Sequence, residues 1–431
     1  MKFLKLFPII CFTLMLSGCF GNEVNDVAHV VALGFDQSET PDNYKITIQF
    51  ANPTQISGGA SEEGGKSGPD IIENVVVEAP NMYSAINTAN HIVSKKFSLF
   101  HTKIFVISEE VAREGLSDLL DTLSRSEEIR PDVYVAVSLG EASEYLTEVK
   151  PIVELNPAKY YQLTFDKNDS QGFPRCTMQD FFMLGNLDYA DVAVPLAGVM
   201  ESEENNSENE GGSEQESNQL EKNKKNDEAP QNEGEFEYKI RNYVAGQVAK
   251  EEKNKSETMG MAVFSGKKMT GVRGSTDSLL YNILSGKYKS SYITFYNETE
   301  TPLTVKISQK NRPRINVNVK EKKVDINLFL ESDLYSLSAN YTLEQEINDF
   351  ENRVTQIISK NCANFIKSVR DEQDADVLDI GMKAKKAFLT NDEFEAYNWR
   401  EKFKEYEISV NTNFKIRRTG LSLSERRGGD K

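Results

Sequence analysis

The chain has three histidines, four cysteines and one tryptophan in 431 residues, and each scarcity removes a class of chemistry. His29, His91 and His101 form no HExxH pair, none stands beside a GxSxG elbow, and no Cys–His arrangement is discernible. Zinc hydrolysis and Ser or Cys nucleophilic catalysis therefore have no motif to rest on. Beyond Cys11 and Cys19 the cysteines are Cys176 and Cys362; two thiols so far apart make no disulfide framework, and no CxxC spacing suggests zinc. Whether those two pair outside the cytoplasm is left open. Basic residues are also short, 50 against 67 acidic ones for a formal charge of −17. That balance argues against a nucleic-acid partner, since such binding rests on cations neutralising phosphates. The turn Ser265-Gly266-Lys267-Lys268 lacks the glycine five positions earlier and the Ser or Thr after lysine that a phosphate loop needs. Carboxylates are abundant, and nothing marks two of them as an acid and its base. No catalytic residue, cofactor or metal site is expected.

What is present begins with a leader. Met1 to Lys5 is short and basic, Leu6 to Leu16 is apolar apart from Thr13, and Ser17-Gly18 supplies small residues before Cys19. These are the three parts of a secretory signal. Its apolar run falls short of the about 20 residues that span a bilayer, and no later segment approaches that length. Leu16-Ser17-Gly18-Cys19 resembles a bacterial lipobox. That resemblance implies cleavage before Cys19 and an S-diacylglycerol anchor on its sulfur, with N-acylation of the same residue left open. Two acyl chains hold a protein to a membrane far more firmly than one.

Hydropathy patterning divides the rest. The expected organisation is a signal peptide at 1–18, an N-terminal α+β domain at 19–199, an acidic insertion at 200–236 and a C-terminal α+β region at 237–431. Residues 237–275 are left open as a small middle subdomain. From Glu201 to Glu235 there are 12 acidic residues and 3 lysines among Ser, Asn, Gln and Gly, too little apolar surface to offset the entropy of ordering. Ser57 to Gly68 reads as a second flexible stretch, a loop between two strands. In the N-terminal domain Asn43 to Phe50 alternates as a half-wet strand, while Val75–Val77, Ile104–Ile107 and Val133–Val137 read as buried strands. Helices fall between them: Met82, Ile86, Ala89 and Val93 after Pro80; Val111, Leu116, Leu119, Leu120 and Leu123 with Ser108 as N-cap; and Glu141 to Glu148.

After the insertion comes the strand Met261–Phe264 and its Gly-Lys-Lys turn. Strands follow at Tyr292–Tyr296, Leu303–Gln309, Arg314–Lys320, Val324–Leu330 and Leu334–Tyr341, which suit an antiparallel meander with one covered face. The cover is one long helix, since Leu343, Ile347, Phe350, Val354, Ile357, Ile358, Cys362, Phe365 and Val369 keep to one face. Thr342 and Gln345 stand as its capping box. Cys362 on that stripe reads as a core residue, and a last strand runs from Glu405 to Arg417. The fold class is α+β and multi-domain, with mixed and antiparallel sheets and packed helices. His101 is expected in a structural or surface role, Arg125 and Arg130 in surface pairs with the flanking Glu127-Glu128, and Trp399 as a packing anchor.

The order of these segments resembles the Ger(x)C spore germination lipoproteins, the C subunits of nutrient germinant receptors. Asn25 to Asp36, ending in Gly34-Phe35-Asp36, matches the first strand and its Gly-x-Asp end. Phe100-His101-Thr102-Lys103 is close to a Gly-His-x-Lys stretch with Phe100 in place of glycine. Ala112 to Leu116, Arg125 to Arg130, Ala262 to Gly271, Trp399 and Ile416 to Gly420 complete the match. Asp376 to Gly381 departs most, standing where the family is rich in Phe and Gly. The resemblance implies a lipid-anchored subunit at the outer face of the inner spore membrane, acting beside A and B membrane subunits. Two other classes are weighed: a substrate-binding lipoprotein of a transporter, which the strand run at 292–341 contradicts, and an extracytoplasmic cell-wall hydrolase, which needs a facing carboxylate pair.

Shortening the insertion between Glu201 and Glu235 is expected to leave stability almost unchanged, because loop closure varies by only about 0.6 kcal/mol per doubling of length. Urea unfolding of the deletion variant checks this, and loss of a cooperative transition contradicts it.

Overall fold

The computed structural model describes residues 27–51, 72–151, 153–154, 156–166, 172–200, 242–248, 254–296, 302–336 and 343–418. Cys19, Thr342, the 57–68 stretch and the acidic insertion lie outside the described residues. Two sheets organise what is described, one of nine strands and one of five.

The first sheet is built on β1 (Val27–Gln37), β2 (Tyr44–Ala51), β3 (Ile72–Ala79), β4 (Lys96–Ser98), β5 (Ile104–Ser108), β6 (Tyr134–Ser138), β7 (Ala193–Val199), β8 (Ser256–Ser265) and β9 (Lys268–Arg273), in the order β3-β2-β1-β5-β6-β7-β8-β9. Its centre, β1-β5-β6-β7, is parallel, and its flanks are antiparallel. Both β5 and β6 are buried along their whole length, as a parallel strand covered on both faces must be. Alternate residues go to opposite layers. Phe105, Ile107, Val135 and Val137 pack with helices α1 (Met82–Ile92), α2 (Glu109–Glu114) and α3 (Ser117–Ser124); Ile104, Val106, Tyr134 and Ala136 pack with α4 (Ala142–Glu148) and α5 (Pro157–Phe165). A further helix, α6 (Met178–Leu184), joins the first layer through Met178 and Phe181.

The apolar stripe expected as one helix from Val111 to Leu123 is two. Ser108 caps the first at its Val111 N–H, and the chain then breaks at Gly115, whose φ of 128° excludes a helical continuation.

The strands β8 and β9 join the edge of the first sheet. Val199 faces Ser256 and Ala193 faces Val263, so the residues between β7 and β8 connect neighbouring strand ends. The side chains of β8 divide between the layers. Ala262 and Phe264 face the α1–α3 layer, while Met261 and Val263 face the second core.

That second core belongs to α7 (Ser275–Ser285) and the sheet of β10 (Ser290–Tyr296), β11 (Pro302–Ser308), β12 (Arg314–Asn318), β13 (Lys323–Ser336) and β14 (Glu407–Arg418). The strands expected at 324–330 and 334–341 are one continuous strand, β13, as far as Ser336, and 337–341 lie outside the described residues. Its first half pairs with β12 and its second half with β11 along one edge. Along the other edge lies β14, parallel to it from Lys323 to Asp333. The 31-residue helix α8 (Leu343–Gln373) covers the sheet, setting Phe350, Val354, Ile358, Cys362 and Phe365 against Phe295, Val305, Ile307, Val324, Ile326 and Leu328. Both Cys176 and Cys362 are free and buried, in different cores.

One motif is explained by packing at the end of β1. A Cβ on Gly34 would stand 3.0 Å from Leu146 and 3.3 Å from Ala142 of α4, so glycine lets that helix lie close on the strand. Two residues on, the buried Asp36 carboxylate accepts the N–H groups of Ala142 at 2.5 Å and Ser143 at 2.9 Å. It serves as a cap supplied from a distant strand, since Glu141 makes no capping bond of its own. Asp36→Ala is expected to lower stability by about 1–2 kcal/mol, the usual worth of a lost cap; a shift in the urea midpoint measures it.

Candidate functional site

The polar groups that stand out by burial meet where the two sheets join. Asp191, in the approach to β7, is 1% exposed. Its Oδ1 accepts Gly266 N–H from the β8–β9 turn at 2.7 Å, and its Oδ2 accepts Asp376 N–H from the segment after α8, also at 2.7 Å. The Asp191 N–H in turn donates to the Asp376 carbonyl at 2.9 Å. Arg400 closes the cluster. Its guanidinium donates to both Asp191 oxygens at 2.9 and 3.1 Å, to Ser265 Oγ at 2.7 Å and to the Asp374 carbonyl at 2.5 Å. A two-pronged charge-assisted bond of this kind fixes geometry as well as adding energy.

Asp376 repeats the logic one turn on. Its Oδ1 accepts Ile380 N–H at 3.0 Å; its Oδ2 accepts Gly381 N–H at 2.7 Å and Trp399 Nε1–H at 3.1 Å. These bonds start α9 (Ile380–Ala384) and seat α11 (Trp399–Phe403), with α10 (Asn391–Tyr397) between them. At Gly381 a Cβ would come within 2.3 Å of the Tyr189 carbonyl and 2.7 Å of the Trp399 ring, so the tryptophan requires glycine there. Trp399 stacks on Phe403 at 5.0 Å and meets Tyr406 edge-on at 5.0 Å, which makes it the packing anchor expected.

Burial pushes the Asp376 carboxyl up to about 7, against the pull of its N–H donors. A group in that range is able to move a proton near neutral pH. The cleft beside it, lined by Asp188, Tyr189, Arg370, Trp399 and Phe403 among others, has a volume of about 10 Å³, room for one water. Nearly every polar atom of the cluster is already bonded to another strand or helix. The arrangement locks the end of the first sheet, the β8–β9 turn, the exit of α8 and α11 into one body.

The remaining singled-out residues stay apart from this cluster. His101 is exposed, its ring 4.6 Å from that of His29 in an edge-on contact. Burial, then His101 and Lys95, hold His29 below its ordinary pKa. Arg125 pairs with Asp121 at 3.0 Å and Arg130 with Asp132 at 3.1 Å. Surface pairing is therefore found, with partners other than the adjacent Glu127 and Glu128; Glu128 instead accepts Leu99 N–H at 2.8 Å. Sequence reasoning missed Asp191 and Arg400, and it named Asp376 only as a departure from a pattern. The available signal was an acidic residue inside an apolar entry to a strand, Ala190-Asp191-Val192-Ala193, where a charge demands partners.

Removing the Asp376 carboxylate leaves several buried donors without an acceptor, so Asp376→Ala is expected to cost about 3 kcal/mol or more. The pH dependence has a definite sign. An acid raised from 3.8 to about 7 stays protonated in the native state while the unfolded chain ionises. Its contribution is therefore complete below 3.8 and lost as pH rises toward 7. The stability advantage of the native protein over Asp376→Asn should shrink between pH 4 and pH 7 in urea titrations; an advantage that grows over that range contradicts the assignment.

Two segments of the chain match known protein families. Residues 21–199 match the family model described as "Spore germination protein N-terminal domain". Residues 259–420 match "Spore germination B3/ GerAC like, C-terminal". Spore germination protein KC of Bacillus subtilis (strain 168) is 28% identical over 160 residues, 37% of this chain and 39% of that protein. The chain thus spans well under half the length of that relative. The crystal structure of the GerBC protein superposes with a TM-score of 0.49 at 12% identity, over 90% of this chain and 98% of that one. With both family models matched in order, the chain belongs to the GerAC family of spore germination proteins.

Proposed function

We propose that this protein is a lipid-anchored subunit of a nutrient germinant receptor and works by assembly with the A and B membrane subunits, not by catalysis. The observation that carries the reading is the ordered pair of family domains, joined through the Asp191–Asp376–Arg400 cluster into one body. Membrane attachment rests on Cys19, since no helix among the described residues is long and apolar enough to cross a membrane. On this reading the diacylglycerol on Cys19 holds the acidic body at the outer face of the inner spore membrane. The buried carboxylates of Asp36, Asp191 and Asp376 support it as well, since they cap helices and tie strands together.

Cys19→Ala should leave the protein unlipidated and lost from the membrane fraction of spores. Loss of the protein should abolish the response to particular nutrients while sparing germination by agents that bypass receptors. It should also be recovered in membranes together with the A and B subunits. Turnover of a peptidoglycan or small-molecule substrate by the purified protein, required for germination, would overturn the reading.

A further inference from the structure

The protein is acidic overall, yet from Ala79 to Ser108 thirty consecutive residues contain no Asp or Glu. The first sheet gathers the basic residues of that run at one end. β4 lies parallel to the opening of β1, with Val27 opposite Lys96 and His29 opposite Ser98. β5 then follows along the same edge, with Ala32 opposite Ile104, and Lys103 N–H donates to the Val31 carbonyl at 2.8 Å. Lys95 lies near enough to His29 to help hold its pKa down. Lys95, Lys96 and Lys103 form no ion pair among the described residues. Two acids in the segment after this run are engaged elsewhere, Glu128 on Leu99 N–H and Asp132 with Arg130.

Two apolar side chains stand out among these cations. Ile92, at the end of α1, is 66% exposed and Phe100, after β4, is 56% exposed. Both belong to the short path from α1 through β4 to β5. This same end of the sheet is where β1 begins, at Val27, eight residues after Cys19. Eight extended residues reach at most about 29 Å, and the far end of the 11-residue β1 lies about 35 Å beyond its start. A lipid on Cys19 therefore holds the basic end, and not the Gln37 end, next to the bilayer.

We propose that this end of the first sheet docks on the membrane, with Lys95, Lys96 and Lys103 against anionic lipid headgroups and Ile92 and Phe100 in the interface. The proposal rests on the anchoring of Cys19 in the reading above. Its physics is a second signal added to a lipid tether. Cations are attracted to an anionic leaflet within about a Debye length, and apolar side chains among them enter the headgroup region. Docking here fixes the orientation of the first sheet relative to the bilayer.

The test uses the full lipidated chain in vesicles of phosphatidylcholine and phosphatidylglycerol with brominated acyl chains. A fluorophore is placed on Ser94→Cys at the basic end or on Glu39→Cys at the opposite end. Cys176 and Cys362 are buried, with thiols pushed up by burial, so the introduced cysteine takes the label. The expected result is quenching at position 94 and none at position 39. Replacing Lys95 and Lys96 by Gln should weaken docking by about fivefold per lysine, with the protein still floating with the vesicles. Equal quenching at the two positions in vesicles that retain the protein overturns the docking face and leaves it to a protein partner. Failure of the labelled chain to float with vesicles overturns the anchor and the docking face together.

Discussion

A carboxylate buried beside a second carboxylate is costly unless each finds donors, and the join between the two sheets is arranged around that constraint. Asp191 and Asp376 satisfy one another's backbones: the Asp376 N–H reaches the Asp191 side chain, and the Asp191 N–H reaches the Asp376 carbonyl. Arg400 supplies the countercharge on one side, and the N–H groups of Ile380, Gly381 and Trp399 supply donors on the other. Removing one member of such a set strands the others, which is why buried pairs of this kind are far more expensive to break than to keep, by about 3–5 kcal/mol. The consequence is spatial. Segments from near residues 191, 265, 376 and 400 are held at one point, so the two cores cannot move independently without exposing unpaired charge.

The same device appears at the C-terminal end of β1, where Asp36 caps a helix about one hundred residues away in sequence and Gly34 lets that helix approach. In both places an aspartate at a strand end serves the N–H groups of another element, with a glycine nearby to admit it. Where the chain leaves β7 and enters β8 the two strands pair antiparallel, Val199 opposite Ser256, so the sheet closes across the residues between them.

Much of this was legible in the sequence where periodicity is strong. The strand at Tyr44–Ala51, the helix after Pro80, the buried β5 and β6, and the 31-residue helix with Cys362 on its apolar stripe all follow from patterning. Sheet membership was not legible, because hydrogen-bonding partners leave no mark on local hydropathy. β8 and β9 join the edge of the first sheet. The run 323–336 reads as two strands because its apolar alternation shifts near Glu331, yet one continuous strand serves β12 and then β11 on the same edge. Of the polar cluster, Trp399 was read correctly as an anchor. Asp191 and Arg400 were invisible in a chain with 67 acidic residues, since what distinguishes them is burial.

If the Asp191–Asp376–Arg400 cluster unites the two cores, native-state hydrogen exchange tests it most directly. The slowest amides of β5, in the first sheet, and of β13, in the second, should exchange with the same free energy and the same denaturant dependence, as parts of one cooperative unit. In Asp191→Ala the two values should separate, with one core opening before the other. Distinct exchange free energies for β5 and β13 in the unmodified protein, or values that stay equal in the variant, would contradict the account.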